Sequence, residues 1–244
     1  MNGQLLATSL RDSYNRDMKI GQPHRWDISI QEAVTQQKKL ATMVSFTPSV
    51  SGIHLVAGVD VRTPVYSRGE AAAAVVVMTY PGLEVVDVSF KIVQVTFPYV
   101  PGLLSFREIP LLEGAFDKIR IIPDIVIVDG HGIAHPRRIG IASHLGLLLD
   151  IPTIGCAKSR LIGEYREPGI EAGRFSYLTD NAERIGAVVR TRTGTKPVFV
   201  SVGNKINLAQ AISVTLSCCK GYRLPEPTRQ AHIIANTKKE LLTV

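Results

Sequence analysis

Three carboxylates stand where the chain could bring them together. Asp60 closes the apolar segment Leu55-Val-Ala-Gly-Val-Asp60, Asp129 closes Ile125-Val-Ile-Val-Asp129, and Glu108 lies in Ser105-Phe-Arg-Glu108 at the start of a predicted helix. Carboxylates gathered at the ends of neighbouring elements make an all-oxygen site, which suits Mg²⁺ or Mn²⁺. Basic residues flank them: Lys158 follows Thr153-Ile-Gly-Cys-Ala, Arg160 comes two residues later, and Arg137 and Arg138 follow His131 and His135. A hard divalent cation among such residues points to a phosphodiester substrate and a metal-dependent nuclease.

Each residue also has a plainer reading. Asp60 could be an ordinary strand residue at an exposed edge, although a buried carboxylate needs a metal, a cation or solvent. Asp129 precedes Gly130, a pair that often marks a turn, but it follows four β-branched residues, and open α/β sheets bind ligands at the carboxyl ends of their strands. Ser105 and Glu108 have capping-box spacing, so Glu108 could merely satisfy a backbone donor. Lys158 is either a solvated lysine or a group that holds a scissile phosphate or steers a water. His131 and His135 are spaced for one helical face, as in a zinc site, yet Gly130, Gly132 and Pro136 speak against a helix there. A phosphate-contacting or water-orienting role fits His135 better. His232, in Thr-Arg-Gln-Ala-His, reads as a capping or packing residue, and Arg137, Arg138 and Arg160 as phosphate contacts or a solvated face.

The elements that must position these residues follow from periodicity. Ser29-Ile-Gln-Glu32 forms a capping box opening a helix to about Met43, with Ala33, Gln37, Leu40 and Val44 on one face. Strands are predicted at 54–61, 71–80 and 84–95, joined by the turn chemistry of Tyr80-Pro-Gly-Leu into an antiparallel meander. The rhythm then changes to helix (105–119), strand (125–129), helix (136–149) and strand (152–157), which indicates parallel pairing through right-handed crossovers. Strands at 185–190 and 198–201 and helices at 207–220 and 228–242 complete the core. The expected fold is α/β and ribonuclease H-like: a mixed sheet of five or more strands flanked by helices, with the first and fourth strands adjacent so that Asp60 meets Asp129. Residues 1–25 are expected to be an N-terminal arm and 26–244 a single nuclease domain.

Composition agrees with this reading. The 244 residues are 45% hydrophobic and 20% charged, enough apolar content for a sizeable core. A net charge of +7 favours a polyanionic partner. The three cysteines, two of them adjacent, form neither a disulfide framework nor a zinc motif and fit a reduced compartment. The apolar runs are far shorter than the roughly 18–20 residues that cross a bilayer, and the first 25 residues carry no secretory pattern; the expected location is the cytoplasm, with no membrane partner.

The combination of Ala57-Gly-Val-Asp60, Pro98-Tyr-Val-Pro101-Gly, Phe106-Arg-Glu108-Ile-Pro, Val128-Asp129-Gly-His-Gly through Arg138, Pro152 through Lys158 and Pro227-Thr-Arg-Gln-Ala-His232 resembles the endonuclease V family over about residues 25–240. The resemblance implies a ribonuclease H-like fold, Mg²⁺ with Mn²⁺ able to substitute, recognition of inosine in single- or double-stranded DNA, and cleavage of the second phosphodiester bond 3′ to the lesion. It implies Asp60, Glu108 and Asp129 as catalytic metal ligands, with Lys158, His135 and His232 in support. Pro98, Tyr99, Val100 and Pro101 match the family's wedge, Tyr99 filling the gap left by a base turned into a pocket of Leu104, Gly130, Gly132 and Leu161. Asn204 departs from the family, in which many members carry histidine at this place. RNA as substrate, a related structure-specific nuclease and a non-catalytic reader remain as alternatives, and a monomer is the default assembly.

Overall fold

A computed structural model describes residues 20–21, 24–49, 52–63 and 69–240. Most of the predicted arm therefore lies outside the described residues. Of its end, Gly21 donates its N–H to the Leu148 carbonyl at 2.8 Å.

The described elements are α1 (Ile30–Ala41), β1 (Leu55–Arg62), β2 (Glu70–Thr79), β3 (Val85–Gln94), α2 (Leu104–Phe116), β4 (Ile125–Val128), α3 (Ile141–Leu149), β5 (Thr153–Ala157), β6 (Phe175–Asp180), β7 (Glu183–Val189), β8 (Val198–Asn204), α4 (Leu208–Ser217) and α5 (Glu226–Glu240). The eight strands form one sheet in the order β3-β2-β1-β4-β5-β8-β7-β6. β4 runs parallel to both β1 and β5, and the remaining pairings are antiparallel. The predicted meander and the adjacency of the first and fourth strands are both present.

Side-chain alternation explains which face each strand residue serves. Leu55, Ala57, Val59, Val126 and Val128 pack on the face covered by α2 and α3. Val56, Ile125 and Ile127 pack on the opposite face, with Ala231 and Ala235 of α5 and Ala211 and Ile212 of α4. Asp60 follows Val59, and Asp129 follows Val128, so both turn toward the α5 side. Register pairs Val59 with Val128, which sets the two acids side by side just beyond. A β-carbon at Gly58 would lie 2.0 Å from the Pro227 carbonyl carbon and 2.3 Å from the Thr228 nitrogen. The bare glycine thus lets the first turn of α5 rest directly on β1, beneath Asp60.

Local structure departs from expectation at three places. The capping box at Ser29 and Glu32 forms, with both reciprocal bonds present, but the one that the spacing of Ser105 and Glu108 offers as a plainer reading does not. The N-cap of α2 is Leu103, Ser105 lies inside the helix, and its hydroxyl is buried without a partner. Second, the helix expected from 136 starts only at Ile141, because residues 130–140 form a loop lying across the sheet: Ile133 donates its N–H to the Val202 carbonyl at 2.8 Å. Third, β6 was not anticipated. It is an edge strand in which Leu178 alone is buried, so it lacks an alternating apolar signal.

His144 on α3 is fully buried among His24, Trp26 and Phe106, with its Nε2 2.8 Å from that of His24. Burial holds its pKa down to about 3. Below pH 6.5 the unfolded chain takes up a proton that the folded chain refuses, so stability must fall as pH drops. The expected loss is roughly 2 kcal/mol between pH 6.5 and 5 from this group. His144→Leu should flatten that slope in denaturant titrations at the two pH values, and an unchanged slope would remove His144 as its source.

Candidate active site

Asp60 and Asp129 meet at the carboxyl ends of two parallel strands, and each is held by a different basic side chain. His232, reaching from α5, places Nδ1 2.9 Å from Asp60 Oδ2. Lys158, just past β5, forms an ion pair with Asp129 Oδ2. Asp60 has its pKa raised, first by burial and then by the charge of Asp129. Glu108 enters from α2 on the other face of the sheet and is 9% exposed. Burial, followed by the charges of Asp60 and Asp129, pushes its carboxyl up to about 8.

Ligand atoms from Asp60, Asp129 and His232 all lie within 4.8 Å of one another. Glu108 is outside that set, yet both aspartates act on it electrostatically. The donor chemistry fits a hard divalent cation: Asp60 and Asp129 lie close together, their charges reach Glu108, and Asp60 and Glu108 are held above their ordinary pKa by burial and this repulsion. A cation among them would reverse that repulsion. Helical periodicity alone reads His232 as a capping or packing residue; the family resemblance is the signal that places it in the site. It stands one position beyond the buried Ala231 on a helix, a placement with no distinguishing pattern.

A cavity of about 310 Å³ opens next to this cluster, lined by Tyr99, Leu104, Gly130, His131 and Leu161 among others. Its size is at the lower end of small-ligand pockets, which run from about 300 Å³ upward. Tyr99 is 51% exposed at its rim. Val100 and Pro101 also line it, whereas Pro98 and Gly132 do not. Gly132 was expected in the pocket, but a β-carbon there would sit 1.9 Å from the Val202 carbonyl oxygen. Its role is to let the loop after β4 lie against β8.

Most of the remaining basic residues are engaged by partners within the protein. His135 uses both nitrogens locally: Nδ1 accepts from the Arg137 N–H at 3.2 Å, and Nε2 then donates to the Gly102 carbonyl at 3.0 Å. Burial holds its pKa at about 4, so it pins the Gly102 carbonyl as a neutral imidazole. His131 bonds the Ser159 carbonyl at 3.0 Å, so the two imidazoles serve separate carbonyls and build no zinc site. Arg137 is likewise bound to Gln37 and Gly102. Arg138 pairs with Asp180 at 2.8 Å and Glu183 at 2.7 Å, tying the loop to the β6–β7 hairpin. Arg160 stays exposed beside the cavity, its guanidinium 5.9 Å from the Tyr165 ring centroid. Asn204 is structural: its amide donates to the Gly146 carbonyl at 3.1 Å and accepts from the Ser45 N–H at 3.0 Å.

An acid cluster at the ends of parallel strands in this mixed sheet, with a lysine beside it, defines a nuclease of the ribonuclease H-like class. The chain belongs to the endonuclease V family, whose family model, Endonuclease V, matches residues 38–233. It is 52% identical to Endonuclease V of Dehalococcoides mccartyi over 90% of this chain and 98% of that protein. The crystal structure of Endonuclease V from Streptomyces avermitilis superposes with a TM-score of 0.84 at 38% identity, covering 94% of this chain and 100% of that one. Endonuclease V of Ciona intestinalis, solved in complex with a 23mer DNA containing an inosine followed by a ribo-adenosine, gives 0.76 at 29% identity, over 88% of this chain and 99% of that one. Among the described residues no helix is long and apolar enough to cross a membrane.

Proposed function

We propose that this protein is a DNA repair endonuclease that recognises deoxyinosine and hydrolyses the second phosphodiester bond 3′ to it, using Mg²⁺, for which Mn²⁺ substitutes. The observation that carries this reading is the contiguity of a base-sized cavity and the acid cluster: Gly130 lines the cavity, and the preceding residue is Asp129. A base turned into the cavity brings the phosphates on its 3′ side toward the carboxylates. The inosine in the Ciona intestinalis complex supports the choice of base.

Asp60, Asp129 and Glu108, with His232 at ligand distance, would hold the metal. When bound, it supplies an activated water and charge stabilisation at the leaving 3′ oxygen. The chain's own residues prepare that chemistry. Hydrogen bonding from His232 Nδ1–H fixes the Asp60 carboxylate and the imidazole tautomer. Lys158 holds Asp129 and brings a positive charge to the place where the scissile phosphate becomes more negative. Residues 26–244 act as one catalytic unit, working as a monomer on single- or double-stranded DNA. Three free thiols accord with a cytoplasmic location.

Tyr99 at the cavity rim is assigned to refill the stack vacated by the lesion. Base–aromatic stacking contributes ~1–3 kcal/mol, so Tyr99→Ala should cut the preference for inosine over undamaged duplex by roughly tenfold. Affinity for undamaged duplex, governed by phosphate contacts, should hardly move. Equal losses on both duplexes would reduce Tyr99 to a general contact.

The ribo-adenosine in the Ciona intestinalis complex favours a second reading, inosine-directed cleavage of RNA. Mapping the cut on matched DNA and RNA oligonucleotides carrying one inosine decides between them. A single metal-dependent cut at the second bond 3′ to inosine in DNA is expected. Cleavage of RNA alone transfers the reading to RNA, and cleavage indifferent to inosine overturns both.

A further inference from the structure

The turn that carries Tyr99 has one unusually crowded atom. Leu103 donates its N–H to the Val100 carbonyl at 2.9 Å, and Gly102 has φ +78°. Proline at the second position and a left-handed glycine at the third make Val100-Pro101-Gly102-Leu103 a type II turn. The Gly102 carbonyl then faces three donors: Arg137 Nη2 at 2.7 Å, Gln37 Nε2 at 2.9 Å and His135 Nε2 at 3.0 Å. A carbonyl oxygen has two lone pairs, so this acceptor is saturated. A β-carbon at Gly102 would lie 2.8 Å from Arg137 Nη2, so even alanine would push the clamp apart.

Gln37 is the member that ties these parts together. It projects from α1 and is 1% exposed. Its Oε1 accepts from Arg137 Nε, while Nε2 serves Gly102 and lies 3.5 Å from the Ile139 carbonyl. One amide therefore fastens the Tyr99 turn to the loop that runs on from Asp129 and Gly130. A buried glutamine on an otherwise apolar helix face must find partners, and its partners here are the wedge turn and the residues that support it.

We propose that Gln37, His135 and Arg137 form a clamp that sets the height of Tyr99 over the cavity by fixing the Gly102 carbonyl, making Gln37 a specificity-determining positioning residue. This rests on the reading of Tyr99 as the wedge. Gln37 also borders the cavity, but it lies outside the acid cluster, and the proposed action is through the turn. Removing it leaves the acid cluster intact but lets Tyr99 sample positions that do not fill the vacated stack. The loss falls on recognition of the lesion, not on hydrolysis.

Two variants test this in the full-length protein. Gln37→Leu removes the whole amide. Gln37→Glu keeps the acceptor for Arg137 and deletes the donor to Gly102, which preserves the fold if leucine does not. Either should reduce kcat/KM on inosine DNA about tenfold, the scale of one lost hydrogen bond; KM should carry the loss, while kcat stays within about twofold of wild type. In a Tyr99→Ala background the same substitution should have no further effect, because the clamp has nothing left to position. Additive losses in that double-mutant cycle, or unchanged kcat/KM in a normally melting variant, overturn the proposal. Amide exchange at Leu103 gives a measurement independent of substrate: it should speed up about tenfold in both variants. If the wild type does not cut inosine DNA, the functional reading fails, and exchange at Leu103 still decides the clamp; unaltered exchange there refutes it.

Discussion

Asp129→Asn and Asp60→Asn should each abolish Mg²⁺-dependent cleavage while leaving inosine-DNA binding measurable. Each change keeps side-chain shape and removes one negative charge from a cluster whose ligand atoms lie within 4.8 Å. A drop of ~10³-fold or more is expected, at the upper end of what losing one preorganised electrostatic group produces. The partners respond differently. Asp129→Asn releases Lys158 from its ion pair, whereas Asp60→Asn leaves a carbonyl oxygen that still accepts from His232. Binding should be equal to or tighter than wild type in metal-free buffer, because a phosphate then approaches a less negative site. Single-turnover cleavage and a gel-shift titration measure the two quantities separately. Near-normal turnover of either variant at saturating Mg²⁺ would remove these aspartates as metal ligands.

The strands that carry these acids were legible because their burial is extreme. Ile125-Val-Ile-Val is buried throughout, and such a short apolar run between turn signals has few alternatives to a central strand. Adjacency of β1 and β4 then followed from the change of rhythm from meander to crossover. What escaped were features set by tertiary contact. β6 exposes Phe175 and Tyr177, so its strand character depends on pairing with β7. Pro136 and Gly140 bracket the segment before α3, with Gly140 at its N-cap, but the course of the loop they belong to depends on contact with β8. The side chains around Gly102 show the same limit. Gln37 sits at helical spacing with Ala33 and Leu40, and nothing local says that its amide serves a carbonyl 65 residues away. Arg137 and Arg138 are neighbours in a basic run, yet one supports the wedge turn and the other grips Asp180 and Glu183. Charge was legible, whereas its partner was not.

Glu108 separates stability from function most sharply, because no cap bond forms at Ser105 and Leu103 occupies the N-cap. The carboxyl is thus buried beside two aspartates with its pKa pushed up to about 8. The sign of its effect follows. Its folded pKa lies above the unfolded value near 4.5, so its contribution to stability is fully present below pH 4.5 and is lost as pH rises through 8. At pH 8 without metal, the wild type carries a poorly solvated, repelled charge, and Glu108→Gln removes it with little change of shape. The variant should therefore melt higher than the wild type at pH 8, by a few degrees per kcal/mol relieved, on the order of 2–4 °C for a chain of this size, and near the wild type at pH 5. Mg²⁺ should raise the wild-type melting temperature at pH 8 and narrow the gap, since binding to the folded state alone stabilises it. Cleavage should be lost at any practical Mg²⁺ concentration, because the glutamine amide cannot supply the negative charge that the site needs. A Glu108→Gln protein that cleaves normally would leave the metal to Asp60, Asp129 and His232. One that melts lower than wild type at pH 8 would show that the buried carboxyl supports the fold.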